Sequence, residues 1–487
     1  MEITSLHYIF FVIISFFITK MATPSARWVF MLISSYIFYY LVSSFYLLVF
    51  LIFITSINYL LAIKINSFPA KNKKNIFVFC VSANIILFIA YKFSYHIFEN
   101  ISPLHDFVTS EKLLNSSTEA LVFIGFSFYF FQLIAYLSDV YLEKVSPEAH
   151  LGHFLLFTSL YPKILQGPIE RSSDLLPQLK NIKMPGLQEA KYAILLFTAG
   201  LFLKVVLADN LAVRVDAAYA NLSFSSGFQL LLAAYAYSFQ IYYDFLGYMF
   251  MALGVAQLYG IRLSENFNSP YLAISVADFW RRWHITLSRF LMDYIFIPLQ
   301  LRWRQHKKLG TAYALLITFL ISGVWHGTGW NFIVWGAGHG ILMIMAIYFQ
   351  PISRKFFGQL SGNAAVFYRV FQVVITFNLI TILWIFFRSS DLSQAWLVID
   401  KIFNYETIYS LYSLARNYRD MFSLPFFLNN IHYTIIFIMF LNYIFFKIDL
   451  NKILHINILL RWSFYYFLIF FILAFNVNSG DFVYFKF

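Results

Sequence analysis

Phe45-Tyr-Leu-Leu-Val-Phe-Leu-Ile-Phe-Ile-Thr-Ser-Ile-Asn-Tyr-Leu-Leu-Ala-Ile63 contains no charged side chain, and Lys64 closes it. As a helix rising 1.5 Å per residue, a run of this length reaches across the roughly 30 Å hydrocarbon layer of a bilayer. The chain repeats the pattern many times. Of its 487 residues 60% are hydrophobic and only 12% charged, whereas water-soluble domains are about one quarter charged. The reading is an all-α integral membrane protein, in contact with lipid along most of its length.

Apolar runs at about 5 to 19, 28 to 42, 45 to 63, 76 to 95 and 118 to 138 are expected to be the first five spans. Lys20 and Arg27 follow the first, and Lys64, Lys71, Lys73 and Lys74 follow the third. Because Lys and Arg collect on the cytoplasmic side, this pattern puts the N-terminus outside the cytoplasm. The run from Tyr8 to Ile18 imitates a secretory signal, but Glu2 precedes it and no Lys or Arg does, so it reads as a retained span. Between Leu142 and Lys191 the hydropathy drops, and the apolar piece at 154 to 161 is too short to cross. Amphipathic or re-entrant helices are expected there, where protein can shield the backbone. Further runs lie at about 191 to 208, 226 to 243, 247 to 263 (interrupted), 311 to 325, 331 to 348, 366 to 386, 431 to 446 and 458 to 475. The total is 11 or 12 spans. With no internal repeat or long polar interlude, residues 1–487 read as one polytopic membrane domain, with a core at about 280–345.

The net charge of +12 is spread over short loops, so it reports topology and not nucleic-acid binding. Cys80 is the single cysteine, which excludes an internal disulfide and a Cys-based metal site. No carboxylate pair has metal-site spacing, and there is no Gly-x-Ser-x-Gly elbow, Walker loop or dinucleotide fingerprint. Covalent serine chemistry and ATP hydrolysis lose support, and neither a metal nor a bound cofactor is expected.

Two stretches concentrate the polar chemistry, Asp278-Phe-Trp-Arg-Arg-Trp-His284 and Ser322-Gly-Val-Trp-His-Gly-Thr-Gly-Trp-Asn331. His326 sits among Gly323, Gly327 and Gly329, with Trp325 and Trp330 as walls. An imidazole there can take a hydroxyl proton as the oxygen attacks a thioester, since its ordinary pKa is close to working pH. The alternative is a core histidine bonded to a helix carbonyl. His284 can be a second polar group of the same chamber, with Arg281 and Arg282 turned to a phosphate-bearing donor. Equally, the segment can be an interfacial helix with Trp280 and Trp283 at the headgroups. His339 and His153 are weaker candidates, and Asp278 reads as a helix cap. In Phe482-Val-Tyr-Phe-Lys-Phe487, Tyr484 offers a phenol that can act as a nucleophile once a base takes its proton, or an aromatic anchor at the interface.

Several motifs in one order resemble a known family: Gly125-Phe-Ser-Phe-Tyr-Phe-Phe-Gln132 with Tyr136 to Tyr141, Gln166-Gly-Pro-Ile-Glu170, Lys204 to Asn210, Glu265-Asn-Phe-Asn268, the Trp280 to Ser288 block and Trp325-His-Gly327. The chain resembles the membrane-bound O-acyltransferases (MBOAT), of the bacterial alginate O-acetylation (AlgI) type. The resemblance implies a ring of tilted helices with re-entrant pieces around a thinned central funnel. It places the family's essential histidine on His326 and its second polar active-site residue on His284. It also implies an acyl thioester, acetyl-CoA or a carrier protein, as donor from the cytoplasmic side. The partner it implies is an extracytoplasmic polysaccharide O-acetyltransferase of the cell envelope, and the place the bacterial inner membrane. In the related D-alanylation system a small companion protein ends in a similar Phe-x-Tyr-Phe-x-Phe tail, which Tyr484 matches within 477–487. Where relatives usually show Asp-Phe-Ser-Gly-Tyr-Ser-Asp, this chain has Asp244-Phe-Leu-Gly-Tyr-Met-Phe250, with two serines and an acidic residue lost. The expected function is transfer of an acyl group, foremost acetyl, with His326 as general base and Tyr484 as acceptor. The alternatives are a D-alanyl transferase fed by a carrier-protein thioester, a transporter or flippase of an envelope precursor, and a scaffold that recruits an exported transferase.

Overall fold

Ser44 starts the run that decided the fold. Its Oγ accepts the Leu47 N–H at 3.3 Å, and α3 follows over Phe45–Ser67. The computed structural model describes residues 1–92, 125–405, 407 and 450–475, and among them every regular element is a helix. They belong to two compact units, Met1–Ala190 with Val255–Ser264, and Lys191–Gly254 with Glu265–Phe487.

The first unit holds α1 (Leu6–Met21), α2 (Arg27–Val42), α3, α4 (Ala70–Lys92), α5 (Phe126–Tyr141), α6 (Leu151–Ser159) and α7 (Ser172–Lys180). Lipid tails are as apolar as leucine, so buried polar pairs and close packing hold such helices together. Ser15 donates to Ser34 at 2.8 Å, joining α1 to α2. Asn58 and Asn84 exchange amide hydrogen bonds of 3.2 and 2.8 Å, joining α3 to α4. Tyr161 donates to Tyr259 at 2.9 Å, which donates to Ser15 at 3.0 Å. The nine residues of α6 cover only about 14 Å and cannot cross a bilayer. Most of its side chains are buried, as a shielded short helix requires. Beside it the buried Lys163 donates to Gln132 at 2.6 Å, and burial draws its ammonium down to about 7 against the opposing pull of Glu170.

The second unit holds most of α8 (Leu187–Phe202), a π-helical segment Leu203–Ala208, α9 (Asp209–Ala220) and most of α10 (Gly227–Leu258). Short helices α11 (Val276–Trp280), α12 (Ile285–Leu291) and α13 (Ile297–Arg302) come next, and then α14 (Lys307–His326), α15 (Trp330–Phe357), α16 (Gly362–Arg388), α17 (Leu392–Phe403), α18 (Leu450–Ile453) and α19 (Ile458–Ala474). The runs expected at 226 to 243 and 247 to 263 are largely one helix, α10. Gly247 is a packing contact and not a break, since a Cβ there would lie 2.8 Å from the Gly200 carbonyl oxygen. Backbone approach of α8 to α10 overrides the weak helix propensity of glycine.

Among the described residues six helices are long and apolar enough to cross a membrane, and Leu6–Met21, Arg27–Val42 and Ile458–Ala474 are shorter apolar helices. The run expected at 431 to 446 and Tyr484 lie outside the described residues.

Candidate active site

α14 ends on His326, and α15 begins four residues later. Gly323 and Gly336 let the two backbones touch: a Cβ on Gly323 would lie 2.4 Å from the Phe332 carbonyl oxygen, and one on Gly336 2.4 Å from that of Phe319. This approach brings the last turn of α14 against the first turns of α15. The His326 ring, 2% exposed, stands edge-on to Trp335 at 4.9 Å and to Phe387 at 5.0 Å. Trp325 is also buried and lies 4.3 Å from His326, while Trp330 is 70% exposed. The walls of the histidine are therefore Trp325, Trp335 and Phe387, from α14, α15 and α16.

Asn331, Trp335 and His339 recur every four residues on α15, so they share one face. All three are fully buried, as is Ser322 one turn before His326. Trp280, brought in by α11, donates its indole N–H to His339 Nδ1 at 3.2 Å. The Asn331 amide donates to the carbonyls of Phe386 at 3.2 Å and Ser389 at 2.9 Å, tying α15 to the end of α16.

His284 lies between α11 and α12 in the left-handed region, with φ at +43°. A non-glycine residue held there stores about 1–3 kcal/mol and persists only where its surroundings fix it. Asn266 supplies that fixing. Its carbonyl accepts the Ile285 N–H at 3.0 Å, and its side-chain Oδ1 accepts the Thr286 N–H at 3.0 Å and the Thr286 hydroxyl at 2.7 Å. Phe245 packs edge-on to the ring at 4.8 Å. Burial drives the His284 imidazole down to about 3, so it is neutral at working pH. Its neutrality thus comes from desolvation. Asn266→Ala is expected to lower stability by about 1–3 kcal/mol, the cost of buried donors left unmade. Thermal unfolding of the purified protein checks this, and an unchanged midpoint would remove Asn266 as the anchor.

Arg281 and Arg282 both face Asp278, at 3.7 and 3.1 Å, and the Arg281 side chain is 73% exposed. Ser275 Oγ accepts the Asp278 N–H at 3.1 Å, so Ser275 is the cap of α11, and the Asp278 carboxylate accepts the N–H of Ile274, the residue before the cap, at 3.2 Å. His153 belongs to the first unit, 3.8 Å from Glu148 and against Trp28. A run of ring contacts joins the two principal histidines within the second unit: His326 to Trp335, Trp384, Trp283, Phe267, Phe245 and His284, each step 4.8 to 5.9 Å.

A buried ion cluster was not expected from the sequence. Lys204 Nζ lies 2.7 Å from Asp209 and 2.8 Å from Asp244. The π-helical turn makes this geometry, for it bonds the Asp209 N–H to the Lys204 carbonyl five residues back and puts both side chains on one face. Asp244 immediately precedes Phe245, the residue against His284. Leu246, Met249 and Phe250, the positions that depart from the relatives' pattern, line a cavity of ≈ 230 Å³ together with Asn266.

Comparison with known proteins identifies the architecture. The family description "MBOAT, membrane-bound O-acyltransferase family" matches residues 95–390, well over half of the chain. The chain belongs to the MBOAT family. It is 35% identical over 365 residues to a Helicobacter pylori protein named peptidoglycan O-acetyltransferase, which covers 69% of this chain and 66% of that one. To a Pseudomonas aeruginosa protein named probable alginate O-acetylase AlgI it is 33% identical over 381 residues, covering 77% and 70%. A Bacillus subtilis protein named teichoic acid D-alanyltransferase is 27% identical over 294 residues, covering 58% and 72%. The match thus spans just under two thirds of the Helicobacter protein's length. Within the MBOAT region lie His284, His326, the Lys204 cluster and the α15 stripe. Among the described residues no group of three or more His, Cys, Asp or Glu is arranged to hold a metal ion.

Proposed function

We propose that this MBOAT protein moves an acetyl group from acetyl-CoA, presented from the cytoplasmic side of the bacterial inner membrane, to a hydroxyl destined for O-acetylation of a cell-envelope polysaccharide. The observation that carries the reading is His326, a buried imidazole at the end of α14 whose backbone is pressed against α15. His326 takes the proton of the attacking hydroxyl as its oxygen bonds to the thioester carbon. The tetrahedral adduct then reforms its carbonyl, the C–S bond breaks, and the leaving thiolate takes the proton back from the imidazolium. The products are an ester and a free thiol. His284, neutral and fixed by Asn266, is the second polar group of the site. Arg281, Arg282 and Trp325 are assigned to the donor. Acetyl is favoured over D-alanyl by the higher identity to the relatives named for acetylation.

Tyr484 is the proposed first acceptor, from which a separate exported transferase passes the acetyl group to the polysaccharide. The test is mass spectrometry of the peptide containing Tyr484 after the purified protein meets isotope-labelled acetyl-CoA. One labelled acetyl group on that peptide is expected in the parent chain and none in Tyr484→Phe, which keeps the ring and removes the nucleophile. Full envelope O-acetylation by Tyr484→Phe would remove Tyr484 from the relay. No release of thiol from acetyl-CoA under any acceptor condition would overturn the donor.

A further inference from the structure

We propose that the indole N–H groups of Trp335 and Trp384 and the Nε2–H of His339 together form the site that receives the carbonyl oxygen of the acyl donor. The three rings are mutual neighbours, with centroids 4.7 Å apart for Trp335 and His339, 5.9 Å for Trp335 and Trp384, and 6.4 Å for His339 and Trp384. All three side chains are 0% exposed. None of Trp335 Nε1, Trp384 Nε1 and His339 Nε2 has a hydrogen-bond partner among the described residues.

The chemistry of each nitrogen is fixed. An indole nitrogen only donates. His339 Nδ1 accepts from Trp280, so the proton of the neutral ring sits on Nε2 and that nitrogen donates as well. Three donors are thus withdrawn from solvent in one group without an acceptor, and each bears the desolvation penalty of an unmade bond. What the group is built to favour is an oxygen that gains negative charge.

That oxygen has a place in the reaction. His326 stands edge-on to Trp335 at 4.9 Å, so the base and the donors are direct neighbours. When the hydroxyl oxygen bonds to the thioester carbon, the carbonyl π pair moves onto oxygen, where preoriented N–H groups in a dry site lower the barrier. The pair returns as the C–S bond breaks. The ligand class is therefore a thioester carbonyl, and the inference rests on the acyl-transfer reading above.

The test uses the full chain in nanodiscs with acetyl-CoA as probe and measures thiol release. Trp335→Phe and Trp384→Phe keep the ring and delete the donor. Each is expected to lower kcat about 10²-fold, with KM for acetyl-CoA changed less than about threefold and a monodisperse elution profile retained. The second readout needs no turnover: in His326→Ala loaded with ¹³C-carbonyl acetyl-CoA, the infrared carbonyl band should fall below its frequency in water, and adding Trp335→Phe should return it toward that value. If His326→Ala still turns over, the acyl-transfer reading fails. If His326→Ala is inactive but Trp335→Phe and Trp384→Phe run within about twofold of the parent, or the band does not move, the donor site alone is overturned.

Discussion

His326→Ala is expected to reduce acetyl transfer by about 10³-fold, within the range that a positioned general base contributes. The imidazole is the group at the α14 end that can take a hydroxyl proton and return it to a thiolate. Alanine also opens a void among Trp325, Trp335 and Phe387, so part of any loss would come from packing. His326→Gln separates the two effects, because it fills most of the volume and retains hydrogen bonding but cannot shuttle a proton. Both variants should reach the membrane in parent amounts and lose turnover alike, measured as thiol release from acetyl-CoA and as envelope O-acetylation in cells. A glutamine variant within tenfold of the parent would end the role of general base.

Lys204→Met should cost about 3–5 kcal/mol of stability, the usual consequence of deleting one partner of a buried ion pair. The Lys204 side chain is 4% exposed, and those of Asp209 and Asp244 are 10% and 2% exposed. Methionine keeps the length and the apolar stem, so the loss reports the two carboxylates deprived of their ammonium. Adding Asp209→Asn and Asp244→Asn should recover most of it, because neutral amides tolerate burial far better than anions. Thermal unfolding in detergent checks both steps. A single variant as stable as the parent, or a triple variant no better than the single, would show that the cluster carries no such charge imbalance.

The spans were legible where the signal is additive along the chain. Runs such as 45 to 63, 311 to 325 and 366 to 386 appear as α3, α14 and α16, because length and hydropathy alone decide whether a segment can sit in lipid. His326 was legible for a related reason: an imidazole at the end of an apolar run, among glycines, interrupts the pattern locally. Other features depend on three-dimensional registration. The break expected near Gly247 vanished because α8 supplies the contact that glycine permits. Lys204 and Asp209 are five apart, a spacing that ordinary helix periodicity puts on different faces, and only a π turn reunites them. The face shared by Asn331, Trp335 and His339 has helical spacing, but nothing local shows that Trp384 of α16 and Trp280 of α11 close over it. Trp330, read as a wall, lies one residue before Asn331 and so points away from that face to the outside.

The contact between Gly323 and Gly336 sets how the site responds to its surroundings. An interface of long side chains complies under load by changing rotamers, whereas two abutting backbones have no such freedom. α14 and α15 should therefore tilt as a single rod when the bilayer thins or thickens, and the spacing of His326 from Trp335 should be insensitive to lipid composition. Regulation by the membrane would then act on delivery of donor and acceptor, leaving the geometry of the reacting groups untouched.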